Sequence, residues 1–159
     1  MQVYTIGHGT RSLEGFIAVL KVYGIKLLVD VRAFPRSRKF PWFGKDILES
    51  ALRESGIKYL HYPELGGFRE GGYEAFIRTK EFSTSIENLL GIIGDKTAVI
   101  MCAELLWWRC HRRYIANTLA EGGEKVIHIF DEKRKEEHSL KRKDIGDKMK
   151  LRIHCNKSD

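Results

Sequence analysis

No stretch of this chain is apolar for anything near the ~18 residues that a membrane span needs. Its first residues, M-Q-V-Y-T-I-G-H, lack a basic segment followed by an apolar one, so no signal peptide is expected. Cysteine is scarce: three in 159 residues, an odd number that does not read as a disulfide framework. These features point to a reducing cytoplasm and away from a membrane partner. Asn and Gln are sparse beside abundant Lys and Glu, a composition of thermophile type. Proline is also scarce, at three residues, and two of them, Pro35 and Pro41, interrupt one segment.

What is present fits a single globular domain with a sizeable core: 43% hydrophobic and 31% charged residues. The formal net charge of +7 permits nucleic acid or another polyanion as partner without demanding one. Residues 131–159 hold ten Lys or Arg against seven Asp or Glu. The run 131–143 interleaves Lys and Arg with Glu, and reads as a solvated arm or a disordered run. An α/β domain over residues 1–130 is expected, with residues 131–159 as a charged C-terminal extension. The oligomeric state stays open.

Strand and helix periods alternate along the chain. Gln2 to Gly7 reads as a strand. Ser12 is placed to cap a helix carrying Leu13, Phe16, Ile17 and Leu20 at helical spacing, with Gly24 at its end. Lys26 to Val31 is apolar on nearly every residue, as in a sheet covered on both faces. A polar loop with two prolines runs from Ala33 to Gly44. A helix follows through Ile47, Leu48, Ala51 and Leu52, then a strand from Ile57 to His61. Residues 73 to 94 read as helical, in one piece or in two parted around Glu81 to Ser83. Thr97 to Cys102, Cys110 to Glu121 and Lys125 to Phe130 read as strand, helix and strand. Leu151 to Cys155 alternates and is open to reading as an extra C-terminal strand. The order predicts one three-layer domain with a mainly parallel five-stranded sheet and helices on both faces.

If the strands are parallel, the loops after the first four lie along one edge, where ligands of open sheets bind. Those loops carry His8 and Arg11; Arg32, Arg36 and Arg38; Glu64 and Arg69; and Cys102, Glu104, Arg109, His111 and Arg112. The opposite loops are short glycine turns. The planar fork of arginine matches carboxylate and phosphate oxygens, so the edge is expected to take an anion. Arg11, Arg32, Arg36, Arg38, Arg109, His111 and Arg112 are the candidates for that role.

Cys102, Glu104 and His8 are the candidates for chemistry. A strand-end thiol near a helix N-terminus and several arginines is expected to be partly thiolate. The competing reading is a small buried residue ending a core strand. Glu104 suits a general acid or base, or an ion pair that locks Arg32 or Arg112. His8 suits a cleft-facing site role or a structural hydrogen bond. Arg32, Arg38 and Arg112 could equally pair with Asp30, Glu64 and Glu104, and Asp30 is read as tying loop backbone. Trp107 and Trp108 suit stacking on a base, or a division into one core plug and one lid. Cys102, Cys110 and His111 raise zinc, but the paired spacings of structural sites are missing. C-A-E lacks the later P-C-x-x-C of zinc deaminases. No metal and no cofactor are called for.

T-I-G-H at 5–8 with Arg11, L-V-D-V-R-x-F-P-R-S-R at 28–38, P-E-L-G-G at 63–67, and M-C-A-E with C-H-R-R at 101–113 resemble the family of domain of unknown function number 488. The likeness covers roughly residues 3 to 130 and implies a fold and a site, but no settled reaction. Members often have Ser at the position of Gly9, and Asp-Pro where this chain has Leu105-Leu106-Trp107. A weaker likeness is to rhodanese-type sulfurtransferases, which share the Asp-Val-Arg strand end and a later strand ending in Cys. Their small-residue active loop is replaced here by Leu-Leu-Trp-Trp.

Two functions follow as expectations. One is an enzyme on a phosphate-, sulfur- or nucleotide-containing substrate, a Cys- or Glu-dependent transferase or hydrolase. The other is a non-catalytic nucleotide- or nucleic-acid-binding module using the same arginines. A fold alone does not choose between them.

Overall fold

The computed structural model describes residues 1–140. Its elements are β1 (Gln2–Gly7), α1 (Leu13–Val22), β2 (Leu27–Asp30), α2 (Lys45–Glu54), β3 (Lys58–His61), α3 (Tyr73–Phe76), α4 (Lys80–Ile93), β4 (Ala98–Cys102), α5 (Arg112–Glu121), β5 (Lys125–Ile129) and β6 (Lys135–Glu137). The sheet order is β3-β2-β4-β1-β5-β6. The first five strands in that order are parallel, and β6 runs antiparallel to β5. This is the expected α/β architecture with an additional strand beyond the five.

That strand lies inside the charged segment. Residues 135–137 pair with β5, so this part of the run is not disordered, and its side chains stay largely exposed, as the solvated reading expects. The charged side chains do not prevent this, because an edge strand buries one rim and leaves its polar residues in water. The alternation at Leu151 to Cys155 lies outside the described residues.

β1 and β4 are neighbours in the sheet, yet their connections leave in opposite directions. From β1 the chain moves toward β2 and β3; from β4 it moves toward β5. Right-handed crossovers in opposite directions place their helices on opposite faces. Accordingly, Phe16, Val19 and Leu20 of α1 and Leu48 and Leu52 of α2 share one core with Ile6, Leu28, Val99 and Met101. Phe82, Ile86 and Leu89 of α4 and Ile115 and Leu119 of α5 share the other core with Val3, Val29, Ile100 and Cys102. The strand period of two sorts alternate residues of β4 between these cores, and Cys102 falls on the α3–α5 side.

Local signals set the helix ends. The Ser12 hydroxyl accepts from Gly15 N at 3.0 Å, a cap that contributes about 1 kcal/mol. Gly24, at φ +68°, takes the left-handed turn after α1. The break in the 73–94 helical segment falls at residues 77–79, not at Glu81 to Ser83. The Thr79 hydroxyl accepts from Phe82 N at 3.1 Å and starts α4 there, because a cap needs a side-chain oxygen before the first turn. α5 likewise begins at Arg112 rather than Cys110. No helix among the described residues is long and apolar enough to cross a membrane.

Candidate functional site

Every residue of β4 is buried, and the strand ends on Cys102. The chain then folds over the end of β1. His8 N donates to Cys102 O at 2.9 Å and Gly9 N to Ala103 O at 3.0 Å. A Cβ on Gly7 would stand 1.8 Å from the Glu104 carbonyl oxygen. Only a glycine lets the loop lie this close. A 3-10 turn at Trp107–Arg109 follows, and then Cys110, His111 and α5 return beneath the loop.

The return brings two sulfurs and a guanidinium together. Arg112 Nε donates to Cys102 Sγ at 3.0 Å, and the Cys110 Sγ lies 2.8 Å from the Cys102 Sγ. Arg112 also donates through Nη1 to the Thr5 hydroxyl at 2.9 Å, and through Nη2 to the carbonyls of Glu104 at 2.6 Å and Leu105 at 3.3 Å. Among these acceptors only the sulfur is able to carry a negative charge. The backbone N–H of Arg112, in the first turn of α5, donates to Cys110 Sγ at 3.4 Å. A cation and a helix N-terminus thus both favour ionised sulfur here. Cys102, Cys110 and Arg112 are at most 1% exposed.

His111 completes the cluster as a neutral ring. Its pKa is pushed down to about 4, by burial first; the negative Cys102 sulfur and the Val31 carbonyl oppose the shift, and Arg112 and Arg69 add to it. Its Nε2 lies 3.2 Å from the Val31 carbonyl, so Nε2 carries the proton. Nδ1, 3.5 Å from Cys110 Sγ, then offers a lone pair to that thiol.

A hydrogen-bonded chain leads away from Thr5. Its hydroxyl is 2.6 Å from His128 Nδ1; His128 Nε2 is 2.9 Å from His138 Nδ1; and His138 Nε2 is 2.6 Å from Asn117 Oδ1. With both rings neutral and Asn117 Oδ1 accepting, each ring carries its proton on Nε2, and the donors run from Arg112 through Thr5 and both histidines to Asn117. Trp107 stacks on His128 at 4.4 Å between ring centroids, and its indole N–H donates to Glu136 at 3.0 Å. β6 therefore helps hold the loop over the sulfurs.

A family model described as Domain of unknown function DUF488 matches residues 12–119. The chain belongs to this family. The DUF488 match takes in Arg32, Cys102, Glu104, Cys110, His111 and Arg112; Thr5, His8, Arg11, His128 and His138 lie outside it. No curated protein and no solved structure matches the chain. The rhodanese-type likeness therefore gains no support. The loop also presents the Glu104 and Leu105 carbonyls to Arg112.

The other sequence candidates of this DUF488 chain are distributed as follows. Arg32 is fully buried on the opposite face of the sheet from Cys102. It donates to Asp30 through Nε at 2.9 Å and Nη2 at 2.7 Å, while the Tyr59 hydroxyl donates to the same carboxylate at 2.5 Å. Burial lowers the Arg32 pKa, but the Asp30 carboxylate outweighs that and holds it above its ordinary value. Among the described residues, Arg32 Nη1 is buried without a hydrogen-bond partner. Arg11 donates to the carbonyls of Gly7, His8 and Phe130, tying the ends of β1 and β5. His8 is 2% exposed and stacks on Phe43 at 4.2 Å, so it does not face an open cleft. Aromatic residues of the 33–44 loop fold over that position.

Glu104 forms neither expected ion pair. Its carboxylate accepts from Leu106 N at 3.1 Å, and its carbonyl is what Arg112 takes. Arg36, Arg38 and Arg109 are exposed on the expected edge. Trp107 is the plug and Trp108 lies half-buried in a groove with Phe130, Lys133, Arg134 and Lys135. Sequence reasoning passed over Thr5, Tyr59, His128, His138 and Asn117. One signal was legible: Thr5 and His128 are polar residues at inward positions of apolar strands.

Proposed function

We propose that this protein is an enzyme whose reacting atom is the Cys102 sulfur, acting on an anionic substrate that carries a phosphoryl, sulfur or nucleotide group. What carries the reading is the Arg112 Nε 3.0 Å from Cys102 Sγ, at the carboxyl end of a central parallel strand. A guanidinium held there stabilises a thiolate at neutral pH, and the thiolate is the nucleophilic form. Arg112 is committed to the sulfur and the loop. Anion capture therefore falls to the exposed Arg36, Arg38 and Arg109 of the same edge. Cys102 is fully buried, so substrate entry requires the Ala103–Leu106 segment to lift. The reading places the protein in the cytoplasm, where thiols stay reduced.

The second reading is a non-catalytic nucleotide- or nucleic-acid-binding module. The groove of Trp108, Phe130, Lys133, Arg134 and Lys135 favours it, since aromatic faces and cations take bases and phosphates, and its three cations outnumber the carboxylates of Asp131 and Glu136 in the same lining.

The test is the alkylation rate of Cys102 against pH, in Cys110→Ser and Cys155→Ser backgrounds. The enzyme reading expects a half-point well below the ~8.5 of a simple thiol and slowing by phosphate or sulfate. Turnover of a phosphoryl- or sulfur-transfer substrate should then vanish in Cys102→Ser while anion affinity persists. An unperturbed thiol, with Cys102→Ser harmless and arginine changes abolishing ligand binding, would establish the module instead.

A further inference from the structure

Two features of the sulfur pair remain unused by that reaction. The first is its second member. Cys110 Sγ stands 2.8 Å from Cys102 Sγ, against ~2.05 Å for a disulfide bond. The second is that each sulfur has its own stabilising donor: Arg112 Nε at 3.0 Å for Cys102 and the Arg112 amide at 3.4 Å for Cys110. Either sulfur can therefore act as thiolate while the other holds the proton, and the pair shares one charge. His111 Nδ1, 3.5 Å from Cys110, is a further proton acceptor.

We propose that Cys102 and Cys110 form a reversible dithiol–disulfide couple whose oxidant is a small hydroperoxide. The Cys102 thiolate attacks the terminal peroxide oxygen. An S–O bond forms, the O–O bond breaks, and the departing alkoxide or hydroxide takes the Cys110 proton. This leaves a Cys102 sulfenic acid and a Cys110 thiolate. The Cys110 thiolate then attacks the Cys102 sulfur; the S–S bond forms, the S–O bond breaks, and hydroxide leaves. Two thiols lose two electrons and the peroxide gains them. An external dithiol restores the pair by exchange.

The burial of the pair selects a small oxidant. Glu104, whose carbonyl lies 3.7 Å from Cys102 Sγ, is itself half-buried, and Leu105 beside it is 41% exposed. One layer of chain separates the sulfurs from water. Oxidation also removes the charge from the acceptor that Arg112 holds, and the same guanidinium holds the Glu104 and Leu105 carbonyls. This couple stands whether or not Cys102 attacks any other substrate.

The experiment treats the whole reduced chain with stoichiometric hydrogen peroxide, blocks remaining thiols by alkylation under denaturing conditions, and maps tryptic peptides. The expected product links residues 97–109 to residues 110–112, with loss of two hydrogens and reversal by dithiothreitol. It should form at least about tenfold faster than in the urea-unfolded chain, because the fold supplies the thiolate and the partner. Cys155→Ser should change nothing. Cys110→Ser should stop at a Cys102 sulfenic acid trapped by dimedone. Three results would overturn the proposal: Cys102 carried to sulfinic acid without a link, linkage to Cys155 in its place, or linkage no faster than in the unfolded chain. The wild-type map decides the question even where Cys110→Ser fails to fold.

Discussion

Arg112 and Cys102 stand ten residues apart in sequence, and the guanidinium Nε reaches the sulfur at 3.0 Å. The same side chain spans Thr5 of β1 and two carbonyls of the loop above. One residue therefore sets the ionisation of the thiol and holds its cover in place. Arginine suits this, because its planar fork presents donors in several fixed directions, and lysine offers a point charge on a flexible stem.

Arg112→Lys should separate charge from geometry. The alkylation half-point of Cys102 should rise by on the order of one pH unit, as the cation leaves the sulfur. Stability should fall by roughly 2 kcal/mol, because Thr5 and the loop carbonyls lose buried donors. Alkylation against pH and a urea titration read the two effects separately. An unmoved half-point would show that Arg112 does not ionise Cys102.

Gly7→Ala tests the contact between β1 and the loop. The new methyl would meet the Glu104 carbonyl at 1.8 Å, so the loop must move. A loss of about 1–3 kcal/mol is expected, as for other overpacked sites, with faster alkylation of Cys102 in the folded protein. Thermal melting and alkylation at fixed pH check both. A stable variant with an equally shielded thiol would mean that the loop crosses elsewhere.

His111 makes stability depend on acid. Its folded pKa of about 4 lies below the 6.5 of an exposed ring, with burial as the main cause. The unfolded chain therefore binds the proton more readily between those values, and stability falls as pH drops through that window. The group accounts for roughly 3 kcal/mol between neutrality and pH 4. Urea midpoints at pH 7 and 4.5 measure the slope. In His111→Gln, which keeps an N–H for Val31 O, the slope should flatten; an identical slope would assign the acid sensitivity to other groups.

Asp30→Asn should destabilise by about 3–5 kcal/mol, because it leaves the fully buried Arg32 without its countercharge. The alkylation half-point of Cys102 should stay where it is, since the Asp30–Arg32–Tyr59 cluster lies on the other face of the sheet. Denaturation and alkylation in the same variant test this, and a shifted half-point would reveal coupling across the sheet.

Much of this molecule was written locally. The continuous apolar strands implied a sheet covered on both faces. Ser12 and Gly24 bounded α1, and the parallel order put four polar loops on one edge. The Asp30–Arg32 pair, two residues apart, was within reach of sequence reasoning. Residue chemistry and period suffice for such features, because each depends on neighbours within a few positions.

The tertiary structure decided what the polar residues do. Seven side chains were candidates for anion binding, but Arg11, Arg32 and Arg112 turn inward to carbonyls, a carboxylate and a sulfur. Arg36, Arg38 and Arg109 stay at the surface. That division depends on which strands are neighbours. Thr5 meets Arg112 and His128 because β1 lies between β4 and β5, and nothing in a linear pattern specifies that order. The meeting of Cys102 with Cys110 was equally out of reach. It needs the loop to double back over Gly7, and the loop can do so because that glycine leaves room for the Glu104 carbonyl.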